Sequence, residues 1–188
     1  MAVILCIETS TTNCSVAIGI DSKVVSLVEF DSHKFSHAEQ LHVFIKKVLD
    51  NVDLKLSDLS AVAISKGPGS YTGLRIGVST AKGLCYALDI PLLSISTLEV
   101  LARQVAPEHA NLAIIPMIDA RRMEVYTSVF DRDYNSVQEV SAKILDENSY
   151  AELFKNYDIL YAIGNGVTKF RDVTSSPEKF KFIEQKNP

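Results

Sequence analysis

The fold of this 188-residue chain is decided by residues 65–77, which read SKGPGSYTGLRIG. An apolar run at residues 59–64 precedes this stretch, and a helical pattern at residues 74–88 follows it. The sequence predicts a strand, a tight turn and the start of a helix, because glycine permits close backbone approach and proline stiffens a turn. No Gly-Lys-Ser or Gly-Lys-Thr follows the turn, so it is not a Walker motif.

This turn has two interpretations. The exposed amide groups of a helix N-terminus favour an anion, which makes the turn a candidate phosphate cradle. The residues that would then contact the ligand are Gly67, Pro68, Gly69, Ser70 and Thr72. The alternative is an ordinary strand-to-helix turn that binds nothing.

The composition indicates a cytoplasmic protein with no membrane segment. Its net charge is −4 and no block of like charge occurs, which argues against nucleic-acid binding by this chain alone. Cys6, Cys14 and Cys85 are far apart and are predicted to be small buried hydrophobes in a reducing compartment. The N-terminal apolar run stops at Glu8 and is too short for a signal peptide or a membrane span.

The sequence pattern of the first half predicts three strands, a helix and a fourth strand. The glycine turn with its helix and a further strand follow. The first helix covers residues 36–52, where Ser36 and Glu39 form a capping box. The second helix covers residues 71–87, and a third begins near Thr97.

The second half repeats this order. A buried strand at residues 112–118 ends at Asp119, as the first strand ends at Glu8, and Gly164-Asn165-Gly166 corresponds to the first glycine turn. We therefore predict a duplicated α/β fold with a cleft between two subdomains, residues 1–106 and 107–188. The second copy is predicted to be incomplete, with a polar tail at residues 174–188.

This order resembles the actin–Hsp70–sugar kinase superfamily, whose fold is ribonuclease H-like. Three motifs make the resemblance narrower: IETS at residues 7–10, GPGSYTGLRIG at residues 67–77 and DARR at residues 119–122. Together they resemble the TsaB (YeaZ) family from residue 2 to about residue 166. The sequence departs from the family at Met123, where glycine is usual, and in its shortened C-terminal part.

The resemblance implies a non-catalytic subunit in the formation of N6-threonylcarbamoyladenosine at position 37 of tRNAs that read ANN codons. Such a subunit binds and stabilises or activates a TsaD-like threonylcarbamoyltransferase, and a TsaE-like ATPase joins them. tRNA would be bound only through the complex, and a homodimer is expected when the partner is missing. No cofactor is required, although ATP or ADP at the partner interface is compatible with the glycine turn.

The residues themselves argue against catalysis. TsaD-like proteins bind a metal through a His-x-x-x-His pair on the helix after the glycine motif, and Thr97 and Leu101 occupy those positions here. Histidines 33, 37 and 42 do not share a helical face, so neither a metal site nor a catalytic residue is predicted. The alternatives are a phosphotransferase, a metalloprotease-like enzyme, or a nucleotide-binding module without turnover.

Charged residues near the strand ends have open interpretations. Glu8 and Asp119 would either orient a nucleotide-bound cation or ribose, or cap the turns that follow them. Arg121 and Arg122 would contact phosphate or an acidic partner surface, or be solvated. Arg75 lies near a helix start that disfavours a cation, which indicates an anionic partner.

Association is the strongest positive indication. On the second helix, a ridge with little side chain is predicted from Gly73, Gly77, Ala81 and, further along, Gly83 or Leu84. Each mid-helix glycine costs about 1 kcal/mol relative to alanine. The ridge would pack against a partner helix or against the protein's own sheet. The partner interface is predicted to comprise this ridge together with Leu41, Phe44 and Arg75.

Overall fold

The computed structural model describes residues 2–31, 37–184 and 186–188. The predicted helix cap at Ser36 and the side chains of His33 and His37 lie outside the described residues. The described chain divides into two compact units, Met1–Ser96 and Thr97–Pro188. Among the described helices, none has the length and apolar character needed to cross a bilayer.

Unit 1 contains one five-stranded sheet with two helices. The strands follow the order β3-β2-β1-β4-β5, in which β1, β4 and β5 are parallel and β2 and β3 are antiparallel to their neighbours. The elements are β1 (Val3–Glu8), β2 (Asn13–Ile20), β3 (Lys23–Asp31), α1 (His37–Asp50), β4 (Ala61–Ser65), α2 (Tyr71–Leu88) and β5 (Leu92–Ile95).

Unit 2 repeats this sheet. Its strand order is β8-β7-β6-β9-β10, so each strand occupies the place of the strand five numbers earlier. Its elements are α3 (Thr97–Ala102), β6 (Leu112–Asp119), β7 (Glu124–Asp131), β8 (Ser136–Ile144), β9 (Ile159–Ile163), α4 (Val167–Val173) and β10 (Phe180–Ile183). The predicted duplication is confirmed.

The predicted incompleteness of the second half is wrong as far as the sheet is concerned. Residues 180–183, which lie in the predicted polar tail, form β10 and pair in parallel with β9. Phe180 is buried and its ring meets those of Phe154 and Phe170 edge-on. A short apolar run between charged residues concealed this strand from the sequence pattern.

The helix α3 belongs to unit 2. Leu98 and Leu101 on α3 are fully buried against Ile114 and Ile118 of β6. The sequence-based division placed residues 97–106 with the first half because they directly follow β5. The apolar face of α3 packs on the sheet of the second unit instead.

The core of unit 1 lies between its sheet and the helices α1 and α2. Alternate residues of β1, including Leu5 and Ile7, face these helices, while the apolar stripe of α1 covers β2 and β3. Leu41 and Phe44 belong to this stripe and are 0% and 8% exposed. They are core residues, so their predicted place on a partner surface is wrong.

The glycine ridge of α2 also faces inward. Gly73, Gly77 and Ala81 are buried, and the hydroxyl of Thr9 donates a 2.9 Å hydrogen bond to the carbonyl oxygen of Gly73. A Cβ atom added to Gly77 would collide with Thr9 Oγ1 and approach Ile64 Cδ1 to 3.0 Å. The ridge therefore packs on the protein's own sheet, and its assignment to a partner interface is wrong.

The prediction that all three cysteines are buried is wrong for Cys6. Cys14 and Cys85 are buried, whereas Cys6 is exposed because it lies on the face of the sheet opposite to the helices. The neighbouring strands still desolvate its thiol enough to raise its pKa. Burial, with a smaller contribution from the Glu8 carboxylate, raises the pKa of Cys14 to about 11.

Two glycines of α2 give a matched stability test. Gly77→Ala should lower the free energy of unfolding by roughly 2–4 kcal/mol, since the added Cβ has no space. Gly83→Ala should raise it by up to about 1 kcal/mol, since nothing lies within 4 Å of the added Cβ and alanine is the better helix former. Urea unfolding followed by circular dichroism measures both values. Equal effects of the two substitutions would contradict the packing of this helix.

The cysteines give a second test. In the native protein, a thiol-specific reagent should modify one of the three thiols quickly, and Cys6→Ser should remove that reaction. Because the pKa of Cys6 is raised, its thiolate fraction and its rate should keep increasing above pH 9, the ordinary pKa. The test is stopped-flow labelling across pH, with Cys14→Ser as the control that leaves the fast reaction unchanged.

Candidate functional site

The glycine turn is fixed between β1 and the start of α2. Ser70 is the N-cap of α2, and its side-chain oxygen accepts a hydrogen bond from the backbone amide of Gly73 at 3.3 Å. The backbone amide of Ser70 donates to the carbonyl oxygen of Ser10 at 2.6 Å. The turn between them includes a cis peptide bond from Gly67 to Pro68.

Close approach between the two loops requires glycine at position 69. A Cβ atom there would overlap the carbonyl oxygen of Ser10 and would lie 2.7 Å from Ser10 Cβ. Ser10 is buried, and its side-chain oxygen has no hydrogen-bond partner among the described residues. Buried hydroxyl groups are normally hydrogen-bonded, so this one needs an explanation.

The first turn of α2 retains unpaired donors. Ser70 satisfies Gly73, and the amide of Leu74 donates to the carbonyl oxygen of Ser70 at 2.9 Å. In the described part of the chain, the backbone amides of Tyr71 and Thr72 have no acceptor. Of the predicted cradle residues, Gly69 and Ser70 therefore lie against Ser10, and Thr72 contributes an amide without an acceptor in the same turn of α2.

Glu8 is hydrogen-bonded to the loop that follows it and to the end of β4. Its carboxylate accepts hydrogen bonds from the backbone amide of Ser10 at 2.6 Å and from the hydroxyl of Ser65. The side chain is buried at the carboxyl end of β1. These contacts agree with the interpretation in which Glu8 caps the turn that follows it.

Asp119 is not the counterpart of Glu8. Ile7 packs beneath α2, so Glu8 lies on the opposite face of its sheet. Ile118 packs beneath α3, so Asp119 lies on the α4 face, where Lys169 Nζ donates to its carboxylate at 2.9 Å. The expectation that the two carboxylates are equivalent is wrong, because the duplicated strands end one residue apart in register.

Lys169 was missed by sequence reasoning. Its ammonium group donates to Asp119, to the carbonyl oxygen of Arg122 at 2.7 Å and to that of Glu124 at 3.2 Å. It thereby holds the turn between β6 and β7, in which Arg121 and Arg122 have φ values of 72° and 45°. No sequence motif surrounds Lys169, so only its place on α4 could have indicated this role.

Arg75 already has a partner on its own helix. Its guanidinium donates a 3.0 Å hydrogen bond to the hydroxyl of Tyr71 and lies 5.2 Å from the centre of the Tyr71 ring. This contact relieves part of the unfavourable position of a cation near a helix start. The predicted requirement for an anionic partner is therefore weakened.

The outer surface of α2 is an aromatic and basic stripe, which we call the outer stripe. It consists of the exposed residues Tyr71, Arg75, Ser79, Lys82, Gly83 and Tyr86. Tyr86 is 92% exposed and Tyr71 is 73% exposed, values that are high for side chains of this size. The sequence could have indicated this surface, because at helical spacing these tyrosines fall outside the face formed by the small residues.

The residues at the two positions that correspond to a His-x-x-x-His metal pair are part of the core. Thr97 and Leu101 are both fully buried, and Leu101 packs against the sheet of unit 2. The described residues contain no group of three or more histidine, cysteine or acidic side chains that could hold a metal ion.

Comparison with known proteins places this geometry in a family. Residues 32–185 match the family model described as TsaD: tRNA N6-adenosine threonylcarbamoyltransferase. The chain is 34% identical over 134 residues to the tRNA threonylcarbamoyladenosine biosynthesis protein TsaB of Escherichia coli, covering 71% of this chain and 57% of that protein. It is 33% identical over 186 residues to TsaB of Buchnera aphidicola subsp. Acyrthosiphon pisum, covering 96% and 83%.

A solved structure agrees. YeaZ from Pseudomonas aeruginosa superposes with a TM-score of 0.81 at 25% identity, covering 97% of this chain and 84% of that one. The chain therefore has the duplicated, actin-like fold of TsaD-type proteins. Within that class it belongs to the TsaB family, which confirms the resemblance of its motifs. The match spans little more than half the length of the Escherichia coli relative.

Proposed function

We propose that this chain is a non-catalytic subunit that binds and stabilises or activates a TsaD-like threonylcarbamoyltransferase. In this proposal the complex forms N6-threonylcarbamoyladenosine at position 37 of tRNAs that read ANN codons, in the cytoplasm, and a TsaE-like ATPase joins it. The observation that carries the proposal is the outer stripe of α2, an exposed aromatic surface on a family member without the metal pair.

The non-catalytic role is supported by two buried positions. Leu101 cannot bind a metal, and both Thr97 and Leu101 are fully buried, so neither position is open to an ion. The carboxylate of Glu8 accepts one hydrogen bond from the loop that follows it and one from Ser65 at the end of β4. A free carboxylate that could act as a general base is therefore not supplied at this strand end.

The docking surface is the outer stripe rather than the buried ridge. Aromatic side chains and arginine dominate binding energy at protein interfaces, and Tyr71, Arg75 and Tyr86 are all presented on one face of α2. Val43 on α1 is 58% exposed and adds apolar surface on the neighbouring helix. A second copy of this chain would occupy the same surface when the partner is missing.

Gly83 strengthens this assignment. A mid-helix glycine costs about 1 kcal/mol relative to alanine, and nothing within 4 Å of its absent Cβ compensates that cost inside unit 1. Close approach of a partner backbone is a compensating reason. The glycine that allows a partner to approach α2 is therefore Gly83 on the outer face, because Gly73 and Gly77 are buried on the inner face.

Two substitutions on the outer stripe test the docking proposal. Gly83→Leu and Tyr86→Ala should each weaken binding of the TsaD-family protein from the same organism by at least about thirtyfold, since they obstruct close approach or remove an anchor. Both variants should unfold cooperatively, because neither position packs in the core. Binding is measured by calorimetry or by sedimentation.

The control is Ile144→Ala, which removes a similarly exposed apolar side chain from β8 in unit 2. It should leave the affinity within about twofold of the original. If both outer-stripe variants bind the partner as tightly as the original chain does, this surface is not the interface. Transferase activity of the chain alone would contradict the non-catalytic role.

We further propose that the glycine turn binds a phosphate of ATP or ADP at the partner interface, without being required for folding. The support is the combination of the free amides of Tyr71 and Thr72 with the buried, unpartnered hydroxyl of Ser10. Anions are stabilised at the N-terminus of a long helix by such amides and by the helix dipole.

The nucleotide proposal is tested by titrating ADP into the isolated chain and into the complex. Ser10→Ala should weaken ADP binding about tenfold, the value for one hydrogen bond to a charged group, while leaving the stability nearly unchanged. Ser79→Ala, on the exposed face of the same helix, is the control. Unchanged ADP affinity in the Ser10 variant would reject the proposal, and ATP hydrolysis by the isolated chain would favour a phosphotransferase-like enzyme.

A further inference from the structure

The turn between β6 and β7 presents two arginines on a rigid support. Arg121 and Arg122 both have left-handed backbone conformations, which cost of order 1 kcal/mol each for residues other than glycine. Such conformations persist where the surrounding contacts impose them. The turn must therefore be held by neighbouring residues in unit 2.

Contacts from both sides hold the turn. On one side, Lys169 of α4 donates to the carbonyl oxygens of Arg122 and Glu124, and its side chain is only 16% exposed. On the other side, the amide of Leu145 donates to the carbonyl oxygen of Met123 at 2.7 Å. The turn between them is fixed at its backbone and leaves its side chains in solvent.

The charges of this turn are not cancelled within it. The Asp119 carboxylate accepts hydrogen bonds from Lys169 Nζ at 2.9 Å and from the backbone amide of Arg121 at 2.6 Å. Its charge is therefore neutralised by Lys169 rather than by the arginines. The guanidinium groups of Arg121 and Arg122 are exposed and have no acceptor in the described ranges of the chain. The backbone amides of Arg122 and Met123 likewise have no acceptor there.

We infer that this arginine turn, residues 119–124, binds the phosphodiester backbone of an RNA. Two adjacent guanidinium groups and free amides suit phosphate oxygens, which accept paired hydrogen bonds from arginine. The inference rests on the proposed function, which supplies tRNA as the RNA held by the complex. With a net charge of −4, this chain contributes one local contact and does not bind RNA strongly by itself.

Lys169 is a positioning residue in this scheme. It does not reach the RNA, but it keeps Asp119 neutralised and holds the arginines in place. Without it, the Asp119 carboxylate would be free to attract the guanidinium groups and compete with phosphate. Loss of Lys169 should therefore weaken RNA binding even though both arginines remain.

The test uses an unmodified transcript of a tRNA that reads ANN codons, bound to the complex with the TsaD-family protein. Arg121→Gln with Arg122→Gln should weaken binding roughly tenfold and reduce the slope of log affinity against log salt by about 2, one for each lost phosphate contact. The matched control removes two other exposed cations of unit 2, Arg132→Gln with Lys155→Gln. It should change the affinity less than about twofold.

Lys169 variants separate positioning from simple charge. Lys169→Met should weaken tRNA binding several-fold at unchanged salt slope, and Lys169→Arg should restore most of the loss. Circular dichroism and cooperative unfolding confirm that each variant is folded. Equal affinities for the original chain and the double arginine variant would overturn the inference, as would equal losses in the double variant and its control.

Assembly of the complex is measured separately, so that two failures are distinguished. If no complex forms with the original chain, the proposed function fails, and binding of the transcript to this chain alone at about 25 mM salt still tests the arginine turn. If the double arginine variant loses assembly but retains tRNA affinity per assembled complex, the turn contacts an acidic protein surface and the inference is wrong.

Discussion

The packing of α2 against β1 is the constraint on which unit 1 depends. Gly77 and Thr9 meet where no side chain larger than hydrogen fits on the helix, and the Thr9 hydroxyl ties the carbonyl oxygen of Gly73 to the end of β1. This contact sets the distance between helix and sheet. It also places the start of α2 over the loop after β1, so that Gly69 must approach Ser10 closely and the amide of Ser70 can bond to that loop.

The same position has a different solution in unit 2. Asp119 stands two residues beyond Met117, a core residue beneath α4, as Thr9 stands two residues beyond Ile7 beneath α2. Where unit 1 joins strand end and helix through a hydroxyl and a carbonyl group, unit 2 joins them through the ion pair of Asp119 and Lys169. The lysine side chain is longer than that of threonine, and its ammonium group also reaches the carbonyl oxygens of the turn that follows Asp119. One duplicated scaffold therefore gives a closely packed glycine helix in one unit and a fixed arginine turn in the other.

The element order could be predicted from the sequence because it is carried by local signals. Apolar runs, glycine turns and the spacing of the helical stripe are all short-range, and each marked its strand or helix. What each face of a helix or strand packs against could not be predicted in the same way. Gly77 indicates that something packs closely, but only the register of β1 shows that Thr9 is that neighbour. Lys169 was missed for the same reason, since its partners lie 45 to 50 residues away in the sequence. Phe180 was missed because its short apolar run lies between charged residues.

The two faces of α2 divide stability from binding. Its inner face is used entirely for packing within unit 1, since its buried residues lie against the sheet: Gly73, Gly77, Ala81 and Cys85. Its outer face contributes little to folding, because Tyr86 is almost free of contacts and Gly83 faces open space. The fold places little demand on such a face, yet this one carries two tyrosines and a helix-weakening glycine. A surface that only needed to be soluble would favour alanine, lysine and glutamate at these positions, so the outer face is better explained by binding than by folding.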